Sequence, residues 1–142
     1  MSTSLGDLGE AELLHRLARF APPGQLSDDT AKLPSDARAL IVNSDVLVES
    51  VHFSDATTSP EDVGWRAVAA NLSDLAASGA MHVDGITVGL IAPGSTPWSW
   101  VDGVYTGLTA ALDRFGGALL GGDCSRGEQR SLSITALGRL SE

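Results

Sequence analysis

Asp45 stands inside the apolar stretch Ala39-Leu40-Ile41-Val42-Asn43-Ser44-Asp45-Val46-Leu47-Val48. On a strand, alternation places Asn43, Asp45 and Leu47 on one face and Ser44 and Val46 on the other. A carboxylate there is costly unless it is solvated or paired. Either the strand is an edge or a bulge with its acid in water, or the acid holds a ligand such as a metal ion. Three other places pose the same choice. Asn71 and Asp74 lie three apart on one helix face, among Ser73, Ala76, Ala77, Ser78 and Gly79. A plain solvated face usually carries lysine or glutamate, and this one carries neither. Asp123 follows Leu-Leu-Gly-Gly, which suits close approach of backbone to phosphate and equally an ordinary Gly-Asp turn. Asp28 and Asp29 form a loop pair, and loop pairs are usually just solvated.

Taken singly, each of these acids has a plain structural explanation. Taken together they make a pattern, because bases near them in sequence are few: Lys32 near Asp29, Arg126 near Asp123, none near Asp45 or Asp74. If the fold gathers these acids, their repulsion demands a cation, and an all-oxygen shell favours Mg²⁺, Ca²⁺ or Mn²⁺ over zinc. No EF-hand loop is present, which argues against a calcium sensor. No P-loop is present either, so a nucleotide would be held by other means. In such a site metals bridge phosphates and neutralise developing charge. Asp36, Asp55, Asp62, Asp102 and Asp113 fall in turns, caps or exposed helix faces and need no such account.

The elements that must position these acids follow from periodicity. Leu13, Leu14, Leu17 and Phe20 share a face of a helix over residues 8–20, which Pro22-Pro23-Gly24 ends. A short strand is expected at Ala31–Leu33 and a long one over residues 39–51. Thr58 or Ser59 caps a helix with Pro60 in its first turn and Glu61 and Asp62 behind, running to about Ser78 and stopping at Gly79. Residues 85–92 read as a strand. Trp98, Val101, Tyr105, Leu108, Leu112 and Phe115 step by three and four, the buried stripe of a helix. A short strand at Ala118–Leu120 ends in Gly121-Gly122-Asp123, and residues 131–140 form the last strand. The order implies an α+β fold, a mixed β-sheet with helices packed on one face.

Bulk properties narrow the function. With 142 residues, 43% hydrophobic and 19% charged, the chain suits one packed domain over residues 1–142. A net charge of −9 with Lys32 as the only lysine argues against nucleic acid and anionic membranes as partners. Cys124 is the only cysteine, so no internal disulfide forms, and the apolar runs are too short to span a bilayer. The first ten residues lack the basic and apolar segments of a signal peptide, and a cytoplasmic protein is expected.

Four segments, in order, resemble the thiamine-monophosphate kinases. Ser27-Asp28-Asp29-Thr30-Ala31 is similar to that family's Gly-Asp-Asp-x-Ala loop. Asn43-Ser44-Asp45-Val46-Leu47-Val48-Glu49-Ser50-Val51-His52-Phe53 resembles its Thr-Thr-Asp-x-Leu-Val-Glu-Gly-Val-His-Phe strand. Residues 64–80, with Asn71-Leu72-Ser73-Asp74, resemble its Asn-Leu-Ser-Asp helix, and Gly121-Gly122-Asp123-Cys124-Ser125-Arg126-Gly127 its Gly-Gly-Asp-Thr-Thr-Arg-Gly segment. The resemblance implies an aminoimidazole ribonucleotide synthetase-like N-terminal domain. It implies that Asp29, Asp45, Asp74 and Asp123 bind Mg²⁺, with Asn43 and Ser44 completing the shell. Gly122 and Asp123 would lie along the phosphates of ATP, and His52 would contact thiamine monophosphate. The family passes the γ-phosphoryl of ATP directly to the substrate phosphate, and its members form homodimers through their N-terminal domains.

The sequence departs from the pattern where Ser27 replaces glycine, where Asn43 and Ser44 replace two hydroxyl residues, and where Cys124 replaces threonine. No carboxylate is lost, and the soft thiol of Cys124 reads as a small packing residue. The family's second domain, with further nucleotide and thiamine contacts, is absent from these 142 residues. Two alternatives therefore stand beside the kinase half: another member of the same ATP-binding superfamily, or a non-catalytic nucleotide-binding or dimerisation module.

Overall fold

Ser4 and Asp7 close a capping box. The Ser4 hydroxyl accepts from the Asp7 N–H at 3.3 Å, and the Asp7 carboxylate accepts from the Ser4 N–H at 3.0 Å. These bonds start helix α1 at Leu5 rather than at Leu8 and carry it to Leu17, with a kink at Gly9 (φ 72°) and a 3₁₀ turn at Ala18–Phe20 beyond. The computed structural model describes residues 2–141. Strand β1 is Leu40–Val48, helix α2 Pro60–Ala77, strand β2 Ala80–Ala92, helix α3 Trp98–Phe115, strand β3 Ala118–Arg126 and strand β4 Ser131–Leu140.

Helix α2 begins and ends as its sequence dictates. The Ser59 hydroxyl accepts from the Asp62 N–H at 3.1 Å, Pro60 follows, and Gly79 takes up φ 92° just past the end. Helix α3 buries Val101, Tyr105, Leu108 and Leu112 as the spacing requires, while Phe115 at the stripe's end stays 48% exposed. The two helices pack unusually close because glycine lies at their contact. A Cβ on Gly64 would stand 1.9 Å from the Val104 carbonyl, and one on Gly107 1.8 Å from that of Glu61. Each fully buried side chain in this layer, such as Leu108 or Val68, contributes about 1.5–3 kcal/mol.

The sheet order is β1-β4-β2-β3, antiparallel except for the parallel pair β2–β3 that α3 connects. Leu132, Ile134 and Ala136 of β4 are buried under the helices. Their register partners on β1 are Leu47, Asp45 and Asn43, so these share the helix side. The opposite face carries Val42, Ser44 and Val46 and has no helix over it among the described residues; Val42 is 58% and Val46 45% exposed. The architecture is the α+β arrangement expected, a mixed sheet with helices on one face. No described helix is long and apolar enough to cross a membrane.

Four strand boundaries differ from expectation. Ala31–Leu33 forms no strand: Pro34 lacks an N–H and follows at once, and residues 31–36 are irregular. Strand β1 stops at Val48, not Val51, because the chain turns at Ser50 with φ 70°. Strand β2 begins five residues early, at Ala80, through register irregularities at Ala80/His82 and Val83/Gly85. Strand β3 continues through Gly121-Gly122-Asp123 to Arg126 instead of ending at Leu120.

Candidate functional site

Strand β3 forms one free edge of the sheet, and the loop before β1 runs beside it. The Gln25 side-chain amide donates to the Leu120 carbonyl at 3.0 Å and ties the two together. Between them and α1 lies a cavity of about 520 Å³. Asp28, Asp29 and Thr30 line one side, Gly121, Gly122 and Asp123 another, and Leu13, Leu17 and Tyr105 form an apolar wall. The two glycines differ in their reasons. A Cβ on Gly122 (φ 156°) would stand 1.9 Å from the Val88 carbonyl, so this glycine permits β2 and β3 to pair. A Cβ on Gly121 meets nothing within 4 Å, so this residue leaves bare backbone on the cavity wall. Asp123 accepts from the Ser125 hydroxyl at 3.0 Å, and Asp28 accepts from the Asp29 N–H at 2.8 Å. Cys124 also faces the cavity; burial first, then the charges of Asp123 and Glu10, push its thiol up to about 11. It stays protonated near neutral pH and packs as a small apolar group.

A second acidic station lies across the sheet, where α2 crosses β1. The Asn43 amide nitrogen donates to Asn71 Oδ1 at 2.9 Å and to Asp74 Oδ2 at 3.2 Å. Asn71 is 1% exposed and anchored by its own bond to the Ala67 carbonyl at 2.8 Å. Asp45, two residues along on the same face, is exposed and accepts from the Val46 N–H at 2.9 Å. Asn43 thus turns its nitrogen, not its oxygen, toward Asp74. Ser44 lies on the opposite sheet face by alternation.

Within this chain the four aspartates do not lie in one cluster. Among the described residues no group of three or more His, Cys, Asp or Glu side chains could hold a metal ion. The cause is the sheet order: β1 and β3, which carry Asp45 and Asp123, are opposite edges with β4 and β2 between them. Asp29, Gly122 and Asp123 line one cavity, and Asn43 bonds Asp74 on the face that also carries Asp45. Among the described residues no arginine, lysine or histidine pairs with Asp29, Asp45, Asp74 or Asp123, whereas Glu12, Asp36, Glu49, Asp55, Asp84 and Asp102 all have such partners. Carboxylates without a basic partner suit hard cations.

His52 sits in the turn that follows β1. Its Nδ1 accepts from the Val48 N–H at 2.9 Å, which places the ring proton on Nε2. Sequence reasoning missed Arg130, which grips this turn. Arg130 ends the polar run Gly127-Glu128-Gln129, and its aromatic partners Phe53 and Trp100 are remote in sequence. The one available sign was an arginine abutting an apolar strand.

Residues 27–140 match the family described as AIR synthase related protein, N-terminal domain. The chain belongs to that family. It is 64% identical to the thiamine-monophosphate kinase of a Prochlorococcus marinus strain over 134 residues, 94% of this chain and 40% of the relative. It is 50% identical to the same enzyme of a Synechococcus elongatus strain, over 95% of this chain and 41% of the relative. Among solved structures it resembles AaThiL complexed with AMPPCP and TMP, with 30% identity and a TM-score of 0.69 over 94% of this chain and 43% of that one. The chain thus spans about two fifths of the length of the curated relatives it matches. Its sheet and helix layer are those of this family, and the kinases among its relatives are transferases.

Proposed function

We propose that this chain is the ATP- and Mg²⁺-binding half of a kinase that phosphorylates thiamine monophosphate to thiamine diphosphate in the cytoplasm. The observation that carries the proposal is the cavity on the β3 edge, which Asp29, Asp123 and the bare backbone at Gly121 all line. Backbone N–H groups and small residues are what a triphosphate needs for close approach. The apolar wall of Leu13, Leu17 and Tyr105 suits the less polar part of a nucleotide. Bound Mg²⁺ would neutralise the triphosphate charge and polarise the γ-phosphoryl group. Asp29 and Asp123 would hold ions on the nucleotide. Asn43, Asp45 and Asp74 would hold ions on the helix side of β1, and Ser44 would serve an ion on the opposite face. Gly122 and Asp123 line the phosphate path, and His52 offers Nε2–H to thiamine monophosphate.

The helix-free sheet face, with Val42 and Val46 exposed, is the surface through which two copies would join as a homodimer. A second reading, a non-catalytic nucleotide-binding or dimerisation module, has one observation in its favour: the acids of this chain lie in two separate stations.

The decisive experiment is calorimetric titration of Mg·AMPPCP into the chain. The expected result is binding that needs Mg²⁺ and weakens at least tenfold in Asp123→Asn. Equal affinity in the variant and the parent would sink the nucleotide site.

A further inference from the structure

We propose that Arg130 is a positioning residue for His52, locking the turn after β1 so that this imidazole presents Nε2–H to bound substrate. The inference rests on the proposed role of His52 as a substrate contact. Its physical basis is independent of that role. Arg130 is 7% exposed, and its buried charge is met by two carboxylates. Nε donates to Glu49 Oε2 at 3.0 Å, Nη2 donates to Glu49 Oε2 and also to Asp55 Oδ1 at 3.0 Å, and the backbone N–H reaches Glu49 Oε1 at 3.2 Å. Glu49 and Asp55 bracket the turn that contains His52. The guanidinium therefore ties the two ends of a seven-residue segment to one rigid point beside β4.

The same group is wedged against aromatic rings. Its central carbon lies 4.4 Å from the Trp100 ring centroid and 5.8 Å from that of Phe53, and those rings stack on each other at 5.9 Å. Phe53, 5% exposed, is itself part of the turn. Inside the bracket the backbone has little freedom left. The Ser50 N–H donates to the Phe53 carbonyl at 2.8 Å, the His52 N–H to the Val48 carbonyl at 2.8 Å, and Arg66 donates to the His52 carbonyl. His52 Nδ1 then accepts the Val48 N–H of an edge strand, which fixes the tautomer. Loosening the Arg130 grip frees Glu49 and Asp55 on either side of His52, and the Nδ1 bond, which joins the turn to Val48 of β1, weakens as the turn shifts. The ring would then sample both tautomers and several orientations.

Two-bond proton–nitrogen spectra of the histidine rings test this directly, with the exposed His15 and His82 as internal references. In the parent chain His52 should give the Nε2–H pattern with a hydrogen-bonded Nδ1. In Arg130→Gln that pattern should collapse toward a tautomer mixture while the far-ultraviolet dichroism stays native, and Arg130→Lys should recover part of it. Thiamine monophosphate affinity should fall at least tenfold in Arg130→Gln, with Mg·AMPPCP affinity changed less than twofold. A folded Arg130→Gln chain with parental His52 signals overturns the proposal. Should Arg130→Gln not fold, Glu49→Gln loosens the same grip and is judged by the same spectra. His52→Ala separates the two ideas: undiminished thiamine monophosphate affinity in that variant removes the substrate role of His52, while the ring spectra still decide whether Arg130 positions it.

Discussion

Asp45 and Gly122 occupy the same transverse row of the sheet, with Ile134 and Val88 between them. Three interstrand spacings separate them, about 14 Å. Ile134 and Val88 are each 1% exposed beneath the helices, so no ion passes directly between the two acidic stations. Within one copy, the glycine-rich strand and the Asp45 station must act on different parts of a ligand, or on different ions.

That separation gives Asp45→Asn a specific outcome. The side chain is exposed and makes only a local bond to Val46, so the change should alter stability by no more than about 0.5 kcal/mol. If Asp45 holds an ion apart from those on the cavity side, the variant should lose part of the Mg²⁺ stoichiometry of nucleotide binding and keep AMPPCP contact. Counting bound Mg²⁺ by calorimetry at fixed AMPPCP checks this. An unchanged ion count would remove Asp45 from the metal shell.

Gly121→Ala and Gly122→Ala should fail in opposite ways. Alanine at 122 drives a methyl group into the Val88 carbonyl, and backbone cannot swing aside as a side chain can. A cost of about 1–3 kcal/mol follows, read as a lowered urea midpoint. Alanine at 121 meets no atom and should leave the midpoint in place. Its methyl group enters the cavity wall instead, so Mg·AMPPCP affinity should drop severalfold. A stable Gly122→Ala chain would contradict the close β2–β3 approach.

Exposed apolar residues on the helix-free face predict self-association. Val42 is 58% exposed and Val46 45%, on the edge strand β1. Light scattering should give twice 14.6 kDa for the parent chain. Val42→Glu should return the mass to that of one copy, because a carboxylate buried between two sheets has no partner there. A monomeric parent chain would sink the homodimer through this face.

Local chemistry made much of this fold legible. The Ser59-Pro60 start, the Gly79 stop and the α3 stripe each depend on residues within one or two turns, and all three hold. What depends on distant neighbours was not legible. Gly121-Gly122-Asp123 reads as a strand end, yet Gly122 is tolerated inside the strand because Val88 lies so close. Alternation put Asn43 and Asp45 on one face, and Asn43 does meet Asp74 there. Strand order, which keeps Asp45 and Asp123 apart, has no local signal. Ser50 stands where the resembling family has glycine, and its φ of 70° explains the family's preference. Arg130 escaped notice because its rings and carboxylates come from distant parts of the chain.

The Glu49–Arg130 pair also predicts how stability depends on pH. The Arg130 side-chain hydrogen bond holds the Glu49 carboxyl below its ordinary value, against the smaller opposing effect of burial. A carboxylate whose folded pKa is depressed supplies stability above its unfolded value, about 4.3, and loses it as pH falls through the folded one. Glu49→Gln should therefore destabilise the chain most near pH 6–7, by roughly 1–3 kcal/mol, since it leaves Arg130 with Asp55 as its remaining carboxylate. The gap between parent and variant should narrow steadily as pH is lowered from about 5 toward 3. Asp36, held well below the carboxylate range by its bonds from Arg38, weakens parent and variant alike in strong acid and cancels from the difference. Urea unfolding of both chains across that range reads the gap. If it stays constant with pH, the Glu49 charge does not hold the turn, and shape alone must.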